Sequence, residues 1–393
     1  MSEFPEIIIK PEKTRALQGK HPWVFSGAIE RIRGNPQAGD IVDVVWKNGD
    51  FIGRGYYNPK TSIAVRLLTF KKDNLDANFF RKKILEAYSL RKNLIPDNTD
   101  SFRLINGEGD FLPGLVIDKF ANAFVCQFLT AGMERLKKII IEQLIAIFKP
   151  KFIWEDGSQH SRAMEGLSRE SKSLFGEPRE IEILENGLKF FVAPCEGQKT
   201  GFFLDQRSNR EFAGRLSKDL NSGLDAFCYT GAFSSYMLSA GLKKVISLDA
   251  SETALMQAEK NFLNNGFSND RFEIRKADVF NYLREMPEKS FDIIVLDPPA
   301  LAKKNDDILK ASAGYKEINL QAFGLIKRGG YLCTFSCSPH IDMKLFVQIV
   351  FAAMKDSGRE AKIIHKSHHG FDHPQSLAHP EGEYLKGLFL QVL

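Results

Sequence analysis

Cysteine is scarce in this 393-residue chain and never paired: Cys126, Cys195, Cys228, Cys333 and Cys337 are scattered and form no CxxC couple. An odd, dispersed set excludes a disulfide framework and a zinc site of paired-cysteine type, so the thiols are expected to be reduced. Long apolar runs are equally absent. No stretch of eighteen uncharged apolar residues exists that could span a bilayer, and the opening MSEFPEIIIKPEK lacks the basic-then-apolar pattern of a signal peptide. A cytoplasmic protein with no membrane role is expected. No internal repeat or low-complexity segment interrupts the chain, so it is read as ordinary globular domains.

What is present is 43% hydrophobic and 26% charged residues, the composition of a globular protein. A chain of this length exceeds one ordinary core, and two or three domains are expected. Net charge is only +5, but residues 1–75 hold 12 Lys/Arg against 8 Asp/Glu, an excess of four. That excess suits an RNA-binding face or a solvated surface equally.

Residues 1–72 are short alternating runs broken by Gly, Asn and Pro and predict a small β-barrel. Within them DVVWK and FIGRGYY flank Asn48-Gly49-Asp50, which is hairpin chemistry with Gly49 free to take positive φ. Residues 73–95 switch to helical spacing through Phe80, Ile84, Ala87, Leu90 and Leu94. The whole of 73–190 reads as an α+β domain with this connecting helix, closing on a hairpin with Asn186-Gly187 at its turn. A third domain spans 191–393. From about residue 220 its strand-like GLDAFC, VISLDA, FEIRKAD, FDIIVLDPP and YLCTFSCS alternate with helical segments, the mark of a Rossmann-like, doubly wound α/β sheet.

Each of those strands ends on a polar or reactive group: Asp225 followed by Tyr229 to Gly231, then Asp249, Asp278, Asp297 and Cys337. Ligands of open α/β sheets bind outside the carboxyl ends of the strands, so these places are expected to face one crevice. Asp249 falls eighteen residues after Gly231, close to the spacing at which an acidic residue takes ribose hydroxyls. The G-x-G-x-x-G of a pyrophosphate cradle is missing, which disfavours a dinucleotide. S-adenosylmethionine, with a ribose and an adenine but no phosphate, suits a single-glycine turn better. The plainer alternative is that Asp249 and Asp278 only cap helices.

Seven ordered blocks run through the chain: HPWVFSGAI (21–29), LINGEGDFLPGLVIDKF (104–120), KTGFFLDQR (199–207), FCYTGAFS (227–234), DPPAL (297–301), TFSCS (334–338) and HPEGEYLKG (379–387). Through them it resembles the bacterial large-subunit ribosomal RNA cytosine-C5 methyltransferases that carry an N-terminal PUA domain. The resemblance implies S-adenosylmethionine as cofactor, ribosomal RNA as partner and a PUA fold for 1–72, and it allows a homodimer. It further implies that Phe227, Tyr229 and Gly231 pack against the cofactor, that Asp249 holds its ribose and Asp278 its adenine, that Asp297 faces the target base beside the cofactor, and that Cys337 attacks that base.

A cysteine is what this chemistry requires. Carbon 5 of cytosine is a poor nucleophile, and addition of a thiolate to carbon 6 turns the ring into an enamine that can take a methyl group. Protonation or hydrogen bonding at N3, the place of Asp297, would stabilise the adduct. RNA cytosine methyltransferases of the two-cysteine type have a cysteine directly after the motif's proline, whereas here Ala300 follows Pro299, which leaves the base for the carbon-5 proton unassigned. Cys333 and the other three cysteines read as packing or turn residues. Two further readings stay open: a guanine exocyclic-amine RNA methyltransferase, which needs no cysteine, and a catalytically silent RNA-binding assembly factor.

In the first domain Trp23, Trp46, Tyr56 and Tyr57 interleave with Arg31, Arg33, Arg54 and Lys60, the mixture that stacks on bases and holds phosphates. The four basic residues are the RNA candidates, and Trp23 reads as core. His365, His368, His369 and His373 lie close in sequence but fit no defined zinc spacing, so no metal is expected.

Overall fold

The computed structural model describes residues 4–13, 15–195, 201–302 and 307–393; Lys199 and Thr200, which open the KTGFFLDQR block, lie outside the described residues. The chain forms two compact units, one of residues 1–183, 192–204 and 371–382, the other of residues 184–191, 205–370 and 383–393.

Among the described residues, the first unit opens with β1 (Glu6–Ile9), α1 (Arg15–Gln18), β2 (Trp23–Phe25), β3 (Ile29–Arg33), β4 (Ile41–Val45), β5 (Phe51–Tyr57) and β6 (Ile63–Thr69). They make one sheet in the order β2-β6-β5-β4-β1-β3. The expected hairpin joins β4 to β5, with Gly49 at φ +92 and Ile41 opposite Tyr56. Alternate side chains (Ile7, Ile9, Val42, Val44, Val65, Leu67) fill one core, as the two-residue period of a strand requires.

Asp76 caps α2 (Ala77–Leu94), accepting a hydrogen bond from the Phe79 amide. The helix buries Phe80, Ile84, Ala87 and Arg91, while Leu90 and Leu94 are 40% and 45% exposed. This corrects the sequence reading at its C-terminal end, because the inward stripe runs 80, 84, 87, 91 at 3.6-residue spacing and reaches a cation. Arg91 is held by both oxygens of Asp110, at 2.5 and 2.7 Å, and by the Asp372 carbonyl at 2.9 Å.

Behind α2 lies a second sheet of β7 (Phe102–Asn106), β8 (Leu115–Phe120), β9 (Ala123–Phe128), β10 (Phe152–Glu155) and β11 (Lys172–Phe175). The helix α3 (Ala131–Phe148) crosses from β9 to its parallel neighbour β10, and α4 (His160–Met164) follows. The two sheets of this unit are joined. Tyr56 donates its hydroxyl to the Pro113 carbonyl at 2.7 Å, and buried Glu165 accepts from Asn58 and Arg66. A Cβ at Gly132 would sit 2.0 Å from the Tyr56 ring, so glycine is what lets α3 approach. Next comes the hairpin of β12 (Ile181–Glu185) and β13 (Leu188–Val192), with Asn186 and Gly187 both at positive φ as expected.

The second unit continues through α5 (Arg207–Leu216), β14 (Ser222–Ala226), α6 (Ala232–Ser239), β15 (Lys244–Asp249), α7 (Glu252–Asn264), β16 (Phe272–Lys276) and α8 (Val279–Glu285). It ends with β17 (Phe291–Leu296), α9 (Ile308–Leu325), β18 (Ile326–Ser336), α10 (Met343–Asp356), β19 (Ala361–Ser367) and β20 (Lys386–Val392). The sheet order is β16-β15-β14-β17-β18-β20-β19, with β14 to β18 parallel and β20 antiparallel to both its neighbours. The five parallel strands are those the sequence announced. In β17, Ile294 and Leu296 face one core while Ile293 and Val295 face the other, so both faces are covered and the strand reads as a continuous apolar run. Strand order reverses between β14 and β17, which opens a crevice at their carboxyl ends.

Candidate active site

The turn after β14 is unusual backbone. Phe227 and Tyr229 both take positive φ, +64 and +50, before Gly231 at +73 starts α6. Left-handed conformations cost non-glycine residues roughly 1–3 kcal/mol each, and they cluster where a ligand is clamped. Gly231 is required by packing as well as by φ: a Cβ there would lie 2.5 Å from Phe262 on α7.

Hydrogen bonds tie this turn to the neighbouring strand ends. Asp249, half-buried at the end of β15, accepts the Tyr229 amide on Oδ2 at 3.0 Å and the Ser251 amide on Oδ1 at 2.8 Å. Each oxygen keeps acceptor capacity beyond one amide, as vicinal ribose hydroxyls need. The Ala277 amide reaches the Asp249 carbonyl at 3.2 Å, which sets the turn before α8 beside it. There Asp278 does cap α8, with Oδ1 accepting from the Asn281 amide at 2.9 Å; its carboxylate is otherwise exposed. Phe227 meets Phe280 edge to face, 6.4 Å between centroids. This set of paired acceptors, aromatic edges and a left-handed turn without a phosphate cradle fits an adenosine-bearing ligand.

On the other side of the reversal point, the Asp297 amide donates to the Ala226 carbonyl at 3.3 Å, which places the Asp297-Pro298-Pro299 turn against the end of β14. The Asp297 carboxylate accepts the Gln206 side-chain amide on Oδ1 at 2.9 Å, and Asn209 in turn donates to Gln206 Oε1 at 2.6 Å. The Asn209 bond fixes the Gln206 amide so that its NH2 points at Asp297. Sequence reasoning missed Gln206; its only signal was its place in the KTGFFLDQR block.

Cys337 lies one residue past β18, half-buried, with Sγ 4.0 Å from the Pro298 carbonyl. Ser338 anchors that loop: its hydroxyl takes the Ala302 amide and meets the Tyr315 hydroxyl. Cys333 is fully buried inside the sheet and burial pushes its thiol up, as it does for Cys126 and Cys228. Opposite Ser336 on the antiparallel neighbour stands Lys386, buried, donating to the Ser338 and Tyr384 carbonyls. Beneath the turn, Asp225 is fully buried and accepts the Ser234 amide and hydroxyl; burial raises its pKa to about 7. The structure thus brings Phe227, Tyr229, Gly231, Asp249, Asp278, Asp297 and Cys337 to one edge of one sheet.

The basic residues of the first unit do not share one fate. Arg54 is buried, its guanidinium held by both Asp43 oxygens and by the Asp73 carbonyl, so it is not a phosphate contact. The turn at Gly49 alone would set Asp43 opposite Gly53; a register shift between Val44 and Val45 brings it opposite Arg54 instead, which no local pattern announces. Tyr56 and Tyr57 are buried as well and offer no stacking face. Arg33 pairs with Glu6 at the surface. Arg31 is exposed on β3, and Lys60 stands at a cavity of about 570 Å³ lined also by Trp23, Arg66, Glu108 and Met164. Trp23 is half-buried with its indole N–H on Glu108. The clustered histidines disperse: His365 packs on Phe212 and Phe389, His368 pairs with Glu383, His369 stacks on Tyr384, and His373 is buried beside Asp372.

With this geometry in place, the chain can be set beside known proteins. Residues 7–70 match the model of a PUA-like domain, and residues 158–375 match that of an S-adenosylmethionine-dependent methyltransferase. Ribosomal RNA large subunit methyltransferase I of Shewanella denitrificans is 42% identical, over 98% of this chain and 99% of its own length. The protein of the same name from Vibrio vulnificus is 40% identical, over 97% and 98%. Among solved structures, a Streptococcus mutans protein taken for a SAM-dependent methyltransferase superposes with a TM-score of 0.82 at 19% identity, covering 98% of this chain and 99% of its own. A methyltransferase-like structure complexed with SAH gives 0.83 at 20% identity, with the same coverage. Those two likenesses show the fold alone.

Proposed function

The chain belongs to the S-adenosylmethionine-dependent methyltransferase family, and from that membership we propose that it methylates carbon 5 of a cytosine in large-subunit ribosomal RNA, in the cytoplasm. The observation that carries the cytosine reading is the placement of Cys337. It is a half-exposed thiol against the Asp297-Pro298-Pro299 turn, at the reversal point where the ligand crevice lies, while Cys333 four residues earlier is sealed in the core.

When bound, S-adenosylmethionine supplies an electrophilic methyl group. Asp249 takes the ribose hydroxyls with the acceptor capacity left by its two backbone amides, and the strained Phe227 and Tyr229 hold the turn around the ligand. Asp278, anchored by its cap to α8, reads the adenine amine beside the Phe227–Phe280 pair. For the RNA, the target base is flipped out of its stack to reach the crevice. Cys337 adds to carbon 6, and Asp297, kept in place by Gln206, faces N3 of the ring. Residues 1–72, 73–190 and 191–393 divide the labour as RNA anchor, connector and catalyst. Arg31 and Lys60 are the phosphate contacts that burial leaves to the anchor, with Arg33 shared with Glu6.

RNA carrying 5-azacytosine at the target tests this reading, because nitrogen at ring position 5 has no proton to surrender and the enzyme stays attached. A complex that survives denaturing electrophoresis is expected. Cys337→Ala is expected to lose both that band and methylation while still binding the cofactor. Full methylation by Cys337→Ala would overturn the cytosine-C5 mechanism in favour of transfer to a guanine amine.

A further inference from the structure

Cys337 must be a thiolate to attack, and none of the groups so far assigned stabilises that charge. Directly across from the end of β18 is Lys386, paired in register with Ser336. Its residue is 2% exposed, and Nζ donates to the Ser338 carbonyl at 2.6 Å and to the Tyr384 carbonyl at 2.8 Å. Ser338 is the residue that follows Cys337, so the amine sits at the base of the nucleophile's own loop. Among the described residues no carboxylate hydrogen-bonds to it. Burial acts on it most strongly and brings its pKa down to about 8, against the fields of Cys337, Glu383 and Asp342, in that order, which favour the ammonium.

A buried ammonium satisfied only by carbonyls is costly, and a methionine would fill the same space without the charge. Retaining lysine there calls for a use of the charge. We propose that Lys386 is a positioning residue for Cys337: its ammonium, set at the base of the nucleophile's loop, stabilises the sulfur as the attacking thiolate. The inference rests on Cys337 being the nucleophile. In the step, the Sγ–H bond breaks and the proton leaves to solvent, while the Lys386 ammonium keeps its own proton and balances the charge on sulfur. The sulfur pair then forms the bond to carbon 6, and the displaced ring pair is drawn toward N3 beside Asp297. When the carbon–sulfur bond breaks, that pair returns to sulfur, and the ammonium is in place as its counter-ion. Cys333, on which no cation among the described residues acts and whose thiol burial pushes up, shows what the same sheet does to an unassisted cysteine.

Iodoacetamide alkylation of the full-length protein, read peptide by peptide by mass spectrometry from about pH 5.5 to about pH 10, tests the pair without RNA or cofactor. Wild-type Cys337 is expected to show an inflection below about 8, under the ordinary thiol value of about 8.5. Lys386→Met is expected to raise it by about one unit or more, cutting alkylation at neutral pH about tenfold, and Lys386→Arg to restore it. An inflection at or above the ordinary value in the wild type overturns the proposal with no variant needed, and so does an unchanged profile in Lys386→Met. The two readings fail separately. A trapped 5-azacytosine adduct with an ordinary thiol profile removes Lys386 alone, whereas a lowered profile without any adduct removes the cytosine mechanism and leaves the pair.

Discussion

Arg210 on α5 and Lys386 at the start of β20 are both buried cations of the second unit, each 2% exposed, and they are satisfied by different chemistry. Arg210 meets both oxygens of fully buried Glu185, at 2.8 and 2.7 Å, and Tyr236 adds its hydroxyl to the same carboxylate at 3.0 Å. Its charge is neutralised where it stands. Lys386 meets two carbonyls, so its charge is solvated but not cancelled. The contrast separates a cation that holds a structure together from one whose field remains available to a neighbour, and the neighbour here is Cys337.

The largest effect on stability is expected at the cancelled pair. Arg210→Met would leave Glu185 with the more distant Arg207, at 3.4 Å, as its remaining ion-pair partner, and loss of about 3–5 kcal/mol is expected in urea unfolding. A loss under 1 kcal/mol would mean that the pair is not the anchor its geometry implies. Asp249 extends the comparison to carboxylates, because it is spent on backbone amides rather than on a cation. Asp249→Ala is expected to weaken S-adenosylmethionine binding in calorimetry by about 10–100-fold, since charge-assisted hydrogen bonds are worth roughly 1.5–3 kcal/mol. It should also loosen the turn, because the Tyr229 amide loses its acceptor. Unchanged affinity would remove Asp249 from the site.

Lys386→Met belongs at the opposite pole from Arg210→Met. Folding pulls the Lys386 pKa from the ordinary 10.5 to about 8, so its protonated form costs stability below pH 8, and the cost fades as pH rises toward the ordinary value. The variant is therefore expected to be as stable as the wild type or more stable at neutral pH, by about 1 kcal/mol, with the difference shrinking in alkaline buffer. Thermal melts across that window check it. A variant destabilised like Arg210→Met would show that Lys386 is a structural cation after all.

The contrast also explains what could be read from the sequence. Strands β14, β15, β17 and β18 were legible because they run largely buried, edge strand β16, exposed at Arg275 and Lys276, through its place in the strand–helix alternation, and each leads into a residue with chemistry. Arg91 was not: a leucine stood one position before it, and only the fold reveals that Asp110 waits for the arginine. Lys386 and Gln206 escaped for a related reason. Their meaning lies in partners 48 and 91 residues away in sequence, Ser338 and Asp297, and no local pattern marks a lysine that will bond to carbonyls or an amide that will meet a carboxylate. Antiparallel β20 reaches β18 only after the long excursion through α10 and β19, and alternating strand–helix reasoning has no place for it.

The smallest effect is expected at Cys333, and it bears on the comparison by removing a thiol on which no cation among the described residues acts. Cys333 lies opposite Phe389 on β20 and Val295 on β17, fully buried in the core that also holds Phe335. Cys333→Ala deletes one buried sulfur, a packing loss on the order of 1 kcal/mol. Since burial keeps that thiol protonated and it sits inside the sheet rather than beyond its end, methylation, 5-azacytosine trapping and the Cys337 alkylation profile should all match the wild type. A shift of the Cys337 inflection in Cys333→Ala would mean that the core beneath the loop, rather than Lys386, sets the thiol's acidity. The two substitutions lie on neighbouring strands of one sheet, so comparing them distinguishes a charge effect from a change in packing.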